Sequence, residues 1–197
     1  MTLTLTKISK TAFLIVLVLT VSAGIAQARP VSSGTTTVTL SSDFLGALGS
    51  LGITAGTILP TSLTGADVNF PVVSGALDLK SAKGEIIHSG GLTLTKGSTS
   101  LRIQSFTIDT TGASPVLTGL AVVNNSLVGR IVLFDITLPQ GFKVPVKLTN
   151  NVLLDLTHVG VTLNAGAAAT LNSVFGTNAF VGGFNIGTAR VTALFQP

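Results

Sequence analysis

Cysteine, tryptophan and tyrosine are absent from this 197-residue chain, and its one methionine is Met1. Without thiols there are no thiolate nucleophiles, no disulfides and no thiolate metal sites. Without phenols there is no tyrosine to act as acid, base or haem ligand. Charge is also scarce, with Asp, Glu, Lys and Arg making up 9% of the residues against 46% hydrophobic ones. Disordered chains show the opposite balance, so a folded domain is expected. Two histidines, scattered carboxylates and many hydroxyls are the chemistry that remains, and they point to a non-enzymatic protein.

Residues 1–28 read as an export leader. Lys7 and Lys10 form a basic start, Ala12 to Val21 is an apolar stretch, and Ala26-Gln27-Ala28 is a small-x-small cleavage site. The apolar stretch is short of the about 20 residues that a membrane span needs. Cleavage leaves residues 29–197 as a single domain with no transmembrane segment, destined for the periplasm, the cell surface or the medium. Cleavage also removes two of the 11 basic residues, and those left stand singly against 7 acidic ones. No basic run remains to suggest a nucleic-acid partner.

The mature sequence alternates like β-structure, punctuated by Gly, Asn and Pro. Strands are expected at Thr35–Leu40, Ala66–Val73, Gly84–His88, Leu92–Lys96, Leu101–Asp109, Val116–Val123, Leu127–Leu138, Val144–Leu148, Val152–Leu163 and Ile186–Phe195. Pro71 suggests an edge or a bulge, and Ser89-Gly90-Gly91 a turn or a bulge. Two segments break the period of two. Phe44, Leu45, Leu48 and Leu51 have helical spacing behind a Ser41, Ser42 or Asp43 cap, and Ala165–Phe175 is Ala-rich between Asn164 and Gly176. Val38-Thr39-Leu40 before Leu48-Gly49-Ser50-Leu51 is echoed by Val161-Thr162-Leu163 before Leu171-Asn172-Ser173-Val174. This echo suggests paired strand–helix units covering the two ends of the domain. The expected fold is all-β, a sandwich of mostly antiparallel strands with two short helices.

His88 and His158 are the only histidines, each a candidate metal or haem ligand or a base. Asp155 lies three residues from His158, a spacing that puts the two on opposite faces of a regular strand. The carboxylates Asp43, Asp67, Asp78, Glu85, Asp109, Asp135 and Asp155 form no short-spaced cluster, although the last three could meet across a sheet. No calcium loop, zinc-protease motif or nucleophile elbow is present, and Gly182-Gly183-Phe184-Asn185-Ile186-Gly187 lacks a phosphate-loop lysine. Asn124-Asn125-Ser126 matches a glycosylation sequon. An outer-membrane barrel is disfavoured by the missing Tyr and Trp girdles, by the helices and by the Gln196-Pro197 ending.

Asn69-Phe70-Pro71-Val72-Val73-Ser74-Gly75, Gly84-Glu85-Ile86-Ile87-His88-Ser89-Gly90-Gly91-Leu92, and Leu101-Arg102-Ile103 leading to Phe106-Thr107-Ile108 together resemble the HtaA-like domain of secreted bacterial haem-uptake proteins. Val159-Gly160-Val161-Thr162-Leu163-Asn164-Ala165 resembles that domain's last strand and short helix. The resemblance implies a secreted, all-β, sandwich-like domain. That family's axial haem ligand is a tyrosine and its opening carries a tryptophan, and this chain has neither. Haem, if bound, would fall to His88 or His158.

Sparse charge and Thr, Val and Gly richness favour a structural role: a matrix or fibre subunit forming oligomers or polymers through sheet edges, with no cofactor. The arm Arg29–Thr37 would add to a neighbour's edge. The alternative is a secreted carrier of haem or another small apolar ligand.

Overall fold

The computed structural model describes residues 28–141, 146–147 and 152–196, so the expected leader lies outside the described residues save Ala28. In chain order the elements are β1 (Arg29–Leu40), α1 (Ser42–Ser50), β2 (Thr54–Ile58), β3 (Ser62–Thr64), β4 (Asp67–Leu77), β5 (Gly84–His88), β6 (Gly91–Lys96), β7 (Thr99–Asp109), β8 (Val116–Val123), β9 (Ser126–Thr137), β10 (Val146–Lys147), β11 (Val152–Leu163), α2 (Ala165–Phe175) and β12 (Asn185–Phe195). The all-β class, the antiparallel pairing and both short helices agree with the sequence.

The layering is more specific than a sandwich. Strands run in the order β7-β5-β4-β1-β12-β11-β9-β8, and β8 pairs back onto β7, closing eight strands into a barrel. Closure follows from strong stagger. Leu77 of β4 pairs with Gly84, and the register continues through Thr110, Pro115, Ile136, Val161, Gly187 and Leu40 to Ala66, eleven residues back along the chain. The eight-stranded core of a TIM barrel has a shear of about 8. A larger stagger at the same strand number means more tilt and a wider interior.

Two bulges shape the wall. In β7 the buried residues are Leu101 and Ile103, then Phe106 and Ile108, so the inward phase slips by one at Gln104-Ser105. There β7 changes partner from β6 to β5, and the sheet of β6 and β2 diverges from the ring. Ser89-Gly90 is the matching kink between β5 and β6; Gly90, at φ 81°, lies against Thr61 so closely that a Cβ would collide with it. In β11 the inward residues Val152, Leu154 and Leu156 give way to Val159, Val161 and Leu163. The slip is the Thr157-His158 bulge opposite Arg190.

Both helices start at the same end, which corrects the expectation that they cover opposite ends. β1 and β11 flank β12 and both run antiparallel to it, so Leu40 and Leu163 finish together beside Asn185–Gly187. Ser41 caps α1 by accepting from the Phe44 N–H at 3.1 Å, and Asn164 caps α2 by accepting from the Gly166 N–H at 3.0 Å. Gly176 ends α2 in the left-handed conformation, φ 61°. α1 packs on β12 and β2, and α2 on β9 and β7.

Candidate functional site

The inward residues do not fill the barrel. A cavity of about 140 Å³ runs inside it, walled by side chains such as Val38, Phe70, Ile103, Leu133, Val161 and Val191 and closed at the helical end by Phe44, Ala167 and Leu171. Polar side chains in the wall are few: Thr36, His88, Thr110 and Thr170, with no carboxylate. The chemistry available inside is burial of apolar surface.

His88 sits in this wall, 2% exposed, in the inward phase of β5. Its Nδ1 lies 3.3 Å from the Phe106 carbonyl oxygen, which can only accept, so Nδ1 carries the proton. Its Nε2, 2.7 Å from Thr36 Oγ1, then accepts the threonine hydroxyl. Burial pushes its pKa down to about 4, partly opposed by the Phe106 carbonyl, which favours the protonated ring. Phe70 and Phe106 pack edge to face beside it, ring centroids 5.0 Å apart. The β7 bulge that turns Phe106 inward also supplies the carbonyl.

His158 is elsewhere. It is exposed on the outer face, on the β11 bulge at φ 59°, with Nδ1 3.0 Å from Thr157 Oγ1. The bulge also places His158 on the same outer face as Asp155, where unbroken alternation would have separated them. The structure does not bring the two histidines together: one faces the cavity and the other faces outward.

The carboxylates are bound locally. Asp155 holds Arg190 through two bonds, at 2.8 and 2.7 Å, and these lower its pKa. Asp109 accepts from the Thr111 hydroxyl and amide, which lower its pKa. Asp135 accepts from Asn164 Nδ2 at 2.9 Å. Asp78 accepts the amides of Ser81 and Lys80, which hold its pKa low. Among the described residues no group of three His, Asp or Glu side chains could hold a metal ion.

Sequence reasoning missed Thr36 and the Phe106 carbonyl. Thr36 was recoverable, because it stands in the inward phase of β1 with Val38.

No protein-family model matches the sequence, and no curated protein matches it. Solved structures do match the fold. The C-terminal domain of HtaA from Corynebacterium glutamicum has a TM-score of 0.64 at 15% identity, covering 85% of this chain and 99% of that one. The haem-binding protein HtaB from the same organism has a TM-score of 0.55 at 13% identity, covering 86% and 96%. A domain-swapped dimer of a variant HtaA C-terminal domain has a TM-score of 0.54 at 16% identity, covering 77% and 90%. The HtaA-like resemblance therefore holds at the level of the fold.

This likeness corrects the expectation of a matrix or fibre subunit. The fold is shared with a haem-binding protein, and barrel closure pairs most of the edges that strand-by-strand polymerisation would need.

Haem itself does not fit the residues in the barrel. Sites that enclose drug-sized ligands run to about 300–1,000 Å³, well above this cavity. Both nitrogens of His88 are engaged by Phe106 and Thr36. His158 stands among Thr37, Thr39, Asp67, Thr188 and Arg190, a polar setting that would leave a porphyrin face in water.

Proposed function

We propose that the protein is a non-enzymatic, exported carrier whose barrel encloses a small apolar ligand. One observation carries this reading: a strongly staggered closed barrel with an apolar-walled cavity of about 140 Å³. A dry cavity of about 150 Å³ lined by Leu, Ile and Phe is known to hold benzene or xenon, which sets the size class. The leader-like residues 1–28 support an extracytoplasmic location, and residues 29–197 would be the working domain. The likeness to HtaB supports ligand carriage as the role of the fold.

Benzene, toluene and haem titrated against the purified protein test the proposal, with methyl NMR shifts and the melting temperature as readouts. Benzene or toluene should shift methyls of the wall and raise the melting temperature. Ala189→Leu, which fills space from a wall position, should abolish both effects. A Soret shift with haem that disappears in His88→Gln would overturn the small-ligand reading. Absence of any cavity ligand would overturn carriage altogether.

A further inference from the structure

A buried polar pair projects into the cavity. Thr36 on β1 and His88 on β5 are separated by β4, which pairs with both strands: Thr36 lies opposite Phe70, and His88 lies opposite Val72. Neighbouring strands lie about 4.8 Å apart, so the β1 and β5 backbones stand about 10 Å from each other. The 2.7 Å bond between Thr36 Oγ1 and His88 Nε2 therefore closes across the inner face of β4, inside the barrel. Both residues line the cavity, and the edge-to-face rings of Phe70 and Phe106 line it beside them.

Hydrogen counting defines what this pair offers. The Phe106 carbonyl accepts the His88 Nδ1 hydrogen, and His88 Nε2 accepts the Thr36 hydroxyl hydrogen. A hydroxyl has one hydrogen, so Thr36 Oγ1 is left with lone pairs only. The other wall hydroxyls are engaged in the same way. Thr110 donates to the carbonyls of Ala82 and Gly84, and Thr170 donates to the Gly166 carbonyl at 2.9 Å. Among the described residues no charged side chain lines the cavity. A carbonyl or a ring nitrogen inside would find no side-chain donor unless Thr36 released His88, which would leave a buried imidazole nitrogen unpaired. A carboxylate would find no cation. A hydroxyl would find an acceptor already in place.

We propose that the enclosed ligand is a phenol, a small apolar ring whose single hydroxyl donates to Thr36 Oγ1. The proposal rests on the carrier reading and narrows its ligand class. Phe70 and Phe106 flank the acceptor, and aromatic rings favour such neighbours in edge-to-face or offset packing. Phenol adds one oxygen to benzene, the size class of a cavity of about 140 Å³.

Isotope-labelled protein titrated with toluene, phenol and pyridine at neutral pH tests the proposal. Toluene brings no polar group, phenol brings a donor, and pyridine brings an acceptor alone. Phenol should bind about as tightly as toluene, and pyridine about tenfold more weakly than either. Phenol should also move the nitrogen resonance of His88 Nε2 further than toluene does, because a bond accepted by Thr36 Oγ1 polarises the hydroxyl that donates to the ring. Thr36→Val puts a methyl group in place of the acceptor and should weaken phenol about tenfold while toluene still binds. Thr36→Ser should retain phenol, and the His88 resonance in the unmodified protein decides the matter should Thr36→Val not fold. Pyridine as tight as phenol, phenol about tenfold weaker than toluene, an unmoved His88 resonance, or phenol binding unchanged in Thr36→Val would overturn the proposal and leave the carrier reading standing. Failure of toluene to bind would overturn the carrier reading itself, and the proposal with it.

Discussion

Replacing His88 by glutamine should remove most of the pH dependence of stability between pH 6.5 and about 4. The folded protein holds the His88 ring neutral, with its pKa pushed from 6.5 down to about 4 by burial. The unfolded chain takes up a proton there near its ordinary value. Above pH 6.5 both states are neutral and His88 imposes no penalty. As the pH falls through 6.5 the unfolded state gains protons that the folded state refuses, and stability declines until the folded ring also titrates near 4. At about 1.4 kcal/mol per pH unit, the loss is ~2 kcal/mol by pH 5 and ~3 kcal/mol by pH 4. The cavity wall contains no carboxylate to compensate. Glutamine does not titrate, yet its amide can donate to the Phe106 carbonyl while its carbonyl accepts from Thr36. Urea unfolding followed by far-UV circular dichroism at pH 7, 6 and 5 measures the effect, since a chain without Trp or Tyr offers little fluorescence. Wild type should lose the calculated stability relative to His88→Gln over this range. Parallel profiles for the two proteins would show that His88 is solvated or charged in the fold, and the assignment of its tautomer and partners would fall with it.

Two further outcomes follow from packing and capping. Gly91→Ala should cost about 1–3 kcal/mol by overpacking, because its Cβ would collide with the Ile103 carbonyl oxygen and lie 3.0 Å from the Gln104 Cα, backbone atoms of the paired strand that cannot turn aside; an unchanged urea midpoint would contradict this. Asn164→Ala should cost about 1–2 kcal/mol, since it removes the α2 cap and leaves Asp135 without its amide partner; calorimetry should show a lowered melting temperature with no change in secondary structure content.

Most strands, both helices and the Asn164 and Gly176 caps were legible because periodicity and capping chemistry act within a few residues; β2 and β3 were not expected, and the Arg29–Thr37 stretch expected to join a neighbour's edge is instead part of β1, paired with β12 and β4 of its own sheet. Closure was not. It depends on an eleven-residue offset accumulated over eight pairings, and each strand taken alone would serve a sandwich equally well. The bulges lie between these cases, since both are written as phase slips in the apolar pattern. Leu101 and Ile103 are followed by Phe106 and Ile108, and Leu154 and Leu156 by Val159 and Val161. Taken as unbroken alternation, the second run places Asp155 and His158 on opposite faces; taken as a slip, it places both outside, as the structure does.

The same bookkeeping of phase explains why two histidines in one chain have opposite prospects. His88 falls in the inward phase, so the fold must satisfy both of its nitrogens, and Thr36 and the Phe106 carbonyl do so. That satisfaction makes a buried imidazole tolerable in an apolar barrel, and it also removes the lone pair that an iron would need. A ligand of the interior is then held by shape, apolar contact and a bond to Thr36 Oγ1, with size and a hydroxyl as the selective properties. His158 falls on the slip and faces outward, where it meets hydroxyls, a carboxylate and the Arg190 guanidinium. If the fold likeness to HtaB reflects a common task, this chain performs it without iron coordination in the barrel. A ligand that binds the wild type and that Ala189→Leu excludes would place that task inside the barrel.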